Sequence, residues 1–96
     1  SPSPLEKFLR KLTKARLLVN PIPRRFFLPH AYAALRQDAV TLHEREGPFT
    51  VAAFRDESGV GRNLAVEILE HFDRSGITQR AGDVRRVRQP DPNNKG

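Results

Sequence analysis

The sequence predicts a mainly α fold with a small antiparallel β-hairpin, arranged as a winged helix-turn-helix and preceded by the helix-hairpin remnant of another such unit. Three observations carry this. Apolar residues recur at helical spacing in several segments. Glycines and prolines punctuate those segments where helices start and stop. The last helix then runs into two short arginine-bearing strands around "AGD", residues 81 to 83.

The elements follow in order. Leu5, Phe8, Leu9 and Leu12 stand at i, i+3, i+4 and i+7, with Lys7, Arg10, Lys11 and Lys14 on the remaining surface, which predicts an amphipathic helix over 5–16. "LLVNPIPRRFFLP" predicts two short strands around a proline-bearing turn, with Pro21 and Pro23 restricting their pairing. Pro29 opens the next helix as its first residue. That helix runs to Glu46, buries Ala31, Leu35, Ala39 and Leu42, and stops at Gly47-Pro48. Phe49 is a short strand or an entry residue, Thr50 an N-cap, and "VAAFRDES" a short helix ended by Gly59. A third helix over Arg62–Arg74 turns Leu64, Ala65, Ile68, Leu69 and Phe72 inward, with Asn63, Glu67, Glu70 and Arg74 opposite; Gly76 ends it and Ile77 folds back. "ITQR", "AGD" and "VRRVRQ" then make strand, turn and strand.

From Pro29 the order is that of a helix-turn-helix followed by a hairpin, the wing. Residues 1–28 repeat its helix-hairpin ending, as if they closed a preceding winged helix whose front half lies in a longer parent; an unrelated extension packed on the domain is the other reading. The expected organisation is therefore 1–28 as that remnant, 29–90 as the winged helix, and 91–96 as a disordered polar tail. The chain starts without methionine, which also reads as a piece of something longer.

Composition narrows the function. Ninety-six residues support one modest core and no enclosed enzyme cleft. Seventeen Lys and Arg against eleven Asp and Glu leave a net charge of +6, which favours a polyanionic partner. Residues 1–28 hold seven cations and one anion, 29–58 three and five, and 59–96 seven and five, so two basic regions flank an acidic middle. The absence of cysteine removes disulfides and thiolate zinc sites and points to the cytoplasm. No apolar run is long enough for a membrane span.

The chemistry on offer is anion binding. Unpaired N–H groups and the positive end of the dipole meet at the start of the third helix, where Gly59 and Gly61 allow close approach and Arg62 and Asn63 add donors. Glu67 and Glu70 oppose a phosphate backbone lying along the helix, so it is expected to touch with its tip. In the hairpin, strand alternation sends Ile77 and Val87 inward and leaves Thr78, Arg80, Arg86 and Arg88 pointing away, with Arg85 near the turn; helix tip and wing then grip one backbone from two directions. The bland alternatives are Gly59 as a helix terminator, Gly61 as a turn residue, and the arginines as a solvated edge that discourages strand pairing. His30, His43 and His71 have no ligand spacing, so no metal is expected; "GVGRN" lacks a nucleotide-binding pattern; no nucleophile triad stands out, and no catalytic residue is assigned. Phe8, Phe26, Phe27, Phe49, Phe54 and Phe72 are expected in the core.

The stretch "FTVAAFRDESGVGRNLAVEILEHFDRSGITQRAGDVRRV", residues 49 to 87, resembles the final winged-helix module of the bacterial selenocysteine-specific translation elongation factor family. The family pattern is an aromatic or leucine followed by T-V-x-x-F-R-D, then G-x-[SG]-R-[KN], a helix ending L-L-E-x-[FL]-D-R-x-G, and T-x-R-x-G-D-x-R. Phe54, Arg55, Asp56, Arg62, Leu69, Glu70, Phe72, Asp73, Arg74, Gly76, Thr78, Arg80, Gly82, Asp83 and Arg86 match it. Residues 5–48 look like the family's lead-in. The resemblance implies a monomeric RNA-binding module that grips the mRNA stem-loop recoding UGA as selenocysteine. Its full-length factor would be a cytoplasmic GTPase using GTP and magnesium and bringing selenocysteyl-tRNA to the ribosome, with no cofactor in this segment. Arg62 and Asn63, with Arg80, Arg85 and Arg86, would meet the hairpin's phosphates and an extruded loop base. Asn63 stands where lysine is common and Gln79 where arginine is common, which leaves the phosphate count open. The rival readings are a DNA-binding winged helix of a transcription regulator and a protein-interaction winged helix.

Overall fold

The computed structural model describes residues 2–88, so the tail expected at 91–96 lies outside the described residues. Four helices and two hairpins follow in order: α1 (Pro4–Lys14), β1 (Val19–Ile22), β2 (Arg25–Phe27), α2 (Pro29–Glu46), α3 (Val51–Ser58), α4 (Arg62–Arg74), β3 (Thr78–Ala81) and β4 (Val84–Val87). β1 pairs with β2 and β3 with β4, each pair antiparallel and forming its own two-stranded sheet. None of the helices among the described residues is long and apolar enough to cross a membrane. The chain groups into two compact units, one up to Gln37 and one from Asp38 onward. The expected boundary stood ahead of α2, whereas this grouping divides that helix.

In the first unit, Ser3 caps α1 by accepting from the Glu6 amide at 3.1 Å, and Pro4 occupies the first turn, where its missing N–H is no loss. α1 stops two residues short of the expected Arg16, because Arg16 takes a left-handed φ of 64° and turns the chain toward β1. The β1–β2 hairpin has an irregular register, with Val19 opposite Phe27 and Ile22 opposite Arg25, as a proline inside β1 requires, since Pro21 has no N–H to donate. Its two-residue turn, Pro23-Arg24, is held by the Asn20 amide, whose Nδ2 donates to the carbonyls of Ile22 at 2.7 Å and Arg25 at 2.6 Å.

α1 buries none of its residues. Leu5 is 66% exposed and Phe8 56%, which corrects the expectation that Phe8 is a core residue. Phe26 and Phe27 are half-buried. Among the described residues of this unit, the buried hydrophobics are Ile22 and Leu35.

The second unit has a closed core. Ala39 and Leu42 of α2, Phe49, Phe54 of α3, and Ala65, Ile68, Leu69 and Phe72 of α4 are each at most 3% exposed. Each large side chain so buried contributes roughly 1.5–3 kcal/mol. The Phe54 ring lies 6.4 Å from both Phe49 and Phe72, edge-on to the latter. Thr50 caps α3 by accepting from the Ala53 amide at 3.1 Å, and Gly59 ends it in the left-handed region at φ 77°. On the outside, Arg45 Nη2 donates to Glu57 Oε1 at 2.8 Å. α4 ends in a Schellman pair: the Ile77 amide donates to the Phe72 carbonyl at 2.9 Å and the Gly76 amide to Asp73 at 3.2 Å, with Gly76 at φ 78°.

Candidate nucleic-acid interface

The start of α4 differs from the starts of α1 and α3. A serine and a threonine hydroxyl close those two, but α4 begins at Gly61, in extended backbone with no side-chain cap. A Cβ at Gly61 would meet nothing within 4 Å, and Gly61, Arg62 and Asn63 are all exposed. Uncapped amides, the positive dipole end and a guanidinium thus share one open surface.

The wing is a two-residue hairpin. Thr78 pairs with Val87, Gln79 with Arg86, Arg80 with Arg85 and Ala81 with Val84, around Gly82-Asp83. Gly82 sits at φ 64°, a conformation that suits the first position of so short a turn. Because opposed residues share a face, Thr78, Arg80, Arg85 and Val87 form one side of the ribbon, and Gln79, Ala81, Val84 and Arg86 the other.

This register corrects two expected site residues. Thr78 is 1% exposed and Arg85 3%, so neither is offered to a ligand at the surface. Arg85 Nε donates to Asp73 Oδ2 at 3.0 Å and Oδ1 at 3.2 Å, and the Thr78 hydroxyl donates to Asp73 Oδ1 at 2.6 Å. The Arg85 backbone also exchanges two hydrogen bonds with Phe49, at 2.8 and 2.9 Å, in an isolated bridge. Asp73, Thr78 and Arg85 therefore latch the end of α4 to both strands of the wing and to Phe49, two residues ahead of α3. The sequence expectation put Arg85 near the turn, among the residues that would meet RNA. In fact Phe49 claims the backbone of β4 at this position and Asp73 supplies the counter-charge that lets a guanidinium go inside. The one available signal was Asp73 at the end of α4, with a threonine and an arginine following.

The other wing cations are exposed. Arg80 belongs to the inner register but reaches past the core edge, where its Nε donates to the Gly82 carbonyl at 2.9 Å. Arg86 lies on the outer face, and its Nη2 donates to Gln79 Oε1 at 2.8 Å across the ribbon. Gln79, which departs from the family pattern, thus orients Arg86. Arg88 stands apart from the helix start: its Nη1 lies 3.5 Å from where a Cβ on Gly76 would be, at the C-terminal end of α4. Thirteen helical residues separate the two ends, about 20 Å at 1.5 Å per residue. The structure thus places Gly61, Arg62 and Asn63 together, Arg80 and Arg86 on the wing, and Arg88 at the far end of α4.

On α4 itself Glu70 is exposed and Glu67 half-buried. His71, also on α4, has its pKa lowered by burial and by the nearby Arg74 charge. Among the described residues, no group of three or more His, Cys, Asp or Glu side chains could hold a metal ion.

Comparison with known proteins reaches the same segment. Residues 41–87 match the family described as "Elongation factor SelB, winged helix". The chain is 52% identical over 42 residues to the selenocysteine-specific elongation factor of Escherichia coli K12, covering 44% of this chain and 7% of that protein. It is 32% identical over 79 residues to the selenocysteine-specific elongation factor of Haemophilus influenzae, covering 82% of this chain and 13% of the relative. The chain therefore spans only a small part of the length of these relatives. Among solved structures, the mRNA-binding domain of elongation factor SelB from E. coli, determined in complex with SECIS RNA, matches with a TM-score of 0.78 and 30% identity over 88% of this chain and 70% of that one. With its helix-turn-helix and its wing in place, this chain belongs to the winged-helix family of the C-terminal part of elongation factor SelB.

Proposed function

We propose that the chain is the RNA-binding module of a selenocysteine-specific elongation factor and takes the mRNA stem-loop that recodes UGA. The observation that carries this is the likeness to an mRNA-binding domain solved on its SECIS RNA. The contacts are assigned to Gly61, Arg62 and Asn63 at the α4 start and to Arg80 and Arg86 on the wing, with Arg88 reaching a separate phosphate. Arg85 and Thr78 support the wing from inside. Unstacked loop bases suit a small protruding tip better than the deep, narrow major groove of an RNA helix does. In the longer factor this binding would bring selenocysteyl-tRNA to the ribosome in the cytoplasm. GTP and magnesium would be held elsewhere in that factor, because no G-x-x-x-x-G-K-[ST] sequence occurs in this chain to cradle a nucleotide.

The test is a titration of a labelled stem-loop from beside a UGA selenocysteine codon, against a scrambled loop and duplex DNA, at several salt concentrations. The native loop is expected to win by tens-fold. Arg62→Ala is expected to weaken it about tenfold or more, as loss of a charge-assisted hydrogen bond does, and to lower the salt slope by about one. Duplex DNA binding as tightly as the loop would replace this reading with a DNA-binding regulator. Absence of any nucleic-acid binding would favour a protein-interaction module.

A further inference from the structure

α1 and α4 end in the same hydrogen-bond pattern, which allows them to be compared residue by residue. The Ala15, Arg16 and Leu17 amides donate to Lys11, Thr13 and Leu12, as the Ser75, Gly76 and Ile77 amides donate to His71, Asp73 and Phe72. In this alignment Leu5, Phe8, Leu9 and Leu12 take the places of Ala65, Ile68, Leu69 and Phe72, the buried face of α4. Lys7 and Arg10 then take the places of Glu67 and Glu70. The surface of α4 that opposes a phosphate backbone is, on α1, cationic.

Lys7, Arg10, Lys11 and Lys14 follow one another at i, i+3, i+4 and i+7 and are all exposed. They form a stripe about 10 Å long at 1.5 Å per residue. Arg10 meets Glu6 at 3.7 Å with its side chain 62% exposed, a pairing too wet to neutralise the stripe. Lys11 and Lys14 complement the C-terminal dipole of the helix. Lys7 sits near the N-terminal end, where a cation has no such reason. From these positions we infer that the α1 stripe is a second nucleic-acid surface, which lies lengthwise along the phosphate backbone of a double helix and reads no sequence. It is independent of the loop recognition assigned to the α4 start and the wing. A membrane surface fits less well. The apolar residues Leu5, Phe8, Leu9 and Leu12 lie diametrically opposite the stripe, so a helix resting on lipid by its apolar face would aim these cations at water.

The experiment uses the whole chain, a blunt 16-base-pair RNA duplex without a loop, a DNA duplex of the same length, and phosphatidylserine–phosphatidylcholine vesicles. The variant is Lys7→Gln/Lys11→Gln/Lys14→Gln, whose positions are exposed and whose replacement is nearly as good a helix former; circular dichroism checks that the helix content is kept. Wild type is expected to bind both duplexes with a salt-dependent affinity. The variant is expected to lose on the order of tenfold to a hundredfold and roughly two to three units of salt slope, about 0.9 per phosphate contact. Its preference for native over scrambled stem-loop stays as in wild type. Arg62→Ala has the reverse pattern, so failure of either surface is seen separately. Unchanged duplex affinity and slope in the variant would overturn the inference. Wild type binding vesicles and neither duplex would overturn it too.

Discussion

α4 passes into β3 through Gly76 and α1 passes into β1 through Arg16, both residues left-handed at φ 78° and 64°, with matching amide bonds around them. The apolar stripe on α4 is sealed, with Ala65, Ile68, Leu69 and Phe72 at 0% exposure, while the same stripe on α1 is open. Local pattern writes the helix-hairpin twice. Burial follows only where α2, Phe49 and α3 bring apolar partners into the same compact unit. The latch differs as well: Asp73 holds Thr78 and Arg85, whereas the turn of the first hairpin is held by Asn20 through backbone carbonyls.

Breaking this comparison at the core has the largest expected effect. Phe72→Ala should cost about 3–5 kcal/mol, while Leu12→Ala, its half-buried counterpart on α1, should cost well under half as much. Urea unfolding with a helix signal measures both, and equal losses would show that α1 is covered after all. The latch comes next. Asp73→Ala leaves the Arg85 guanidinium buried without its carboxylate, and about 3 kcal/mol is expected. Asp73→Ala combined with Arg85→Met should recover much of that, since the uncompensated charge is gone; a double variant as unstable as the single would mean that the hydroxyl and packing terms dominate.

The helix ends give a smaller, signed contrast. Gly76→Ala places a Cβ at positive φ and should destabilise by about 1–2 kcal/mol. Arg16→Gly removes such a penalty and should stabilise or be neutral, because glycine's gain in backbone freedom when unfolded offsets part of it. A stabilising Gly76→Ala would refute the left-handed assignment.

The smallest effect is on pH. Burial, with Arg74 nearby, holds the His71 pKa below its ordinary value. The folded chain then takes up the His71 proton less readily than the unfolded chain, so this contribution is complete above the ordinary histidine pKa of about 6.5 and is lost as pH falls below it through the lower folded value. Melting temperatures at pH 7.5 and 5.5 should therefore differ less in His71→Gln than in wild type. Asp38, raised by burial and by the Glu57 charge, has the opposite sign: its ionisation above the ordinary carboxylate range opposes folding.

The sequence by itself determined the order of the elements and those ends that a proline, threonine or glycine marks. Pro29, Thr50, Gly59, Gly61 and Gly76 each act through their own backbone or the next few residues, and helical spacing alone marked Ala65, Ile68, Leu69 and Phe72 as one face. It also placed Arg62 and Asn63 at a helix start, because that requires only knowing where the helix begins. What it left undecided depends on partners distant along the chain. Strand alternation cannot say which face of β3–β4 is inward; Phe49 bridging Arg85 and Asp73 paired with it decide that, and turn Thr78 and Arg85 from surface contacts into a buried latch. An amphipathic pattern likewise cannot say whether its apolar face finds a cover, which is why Phe72 is sealed and Phe8 is not. Burial is a property of what packs against a residue, and only the tertiary structure contains that neighbour.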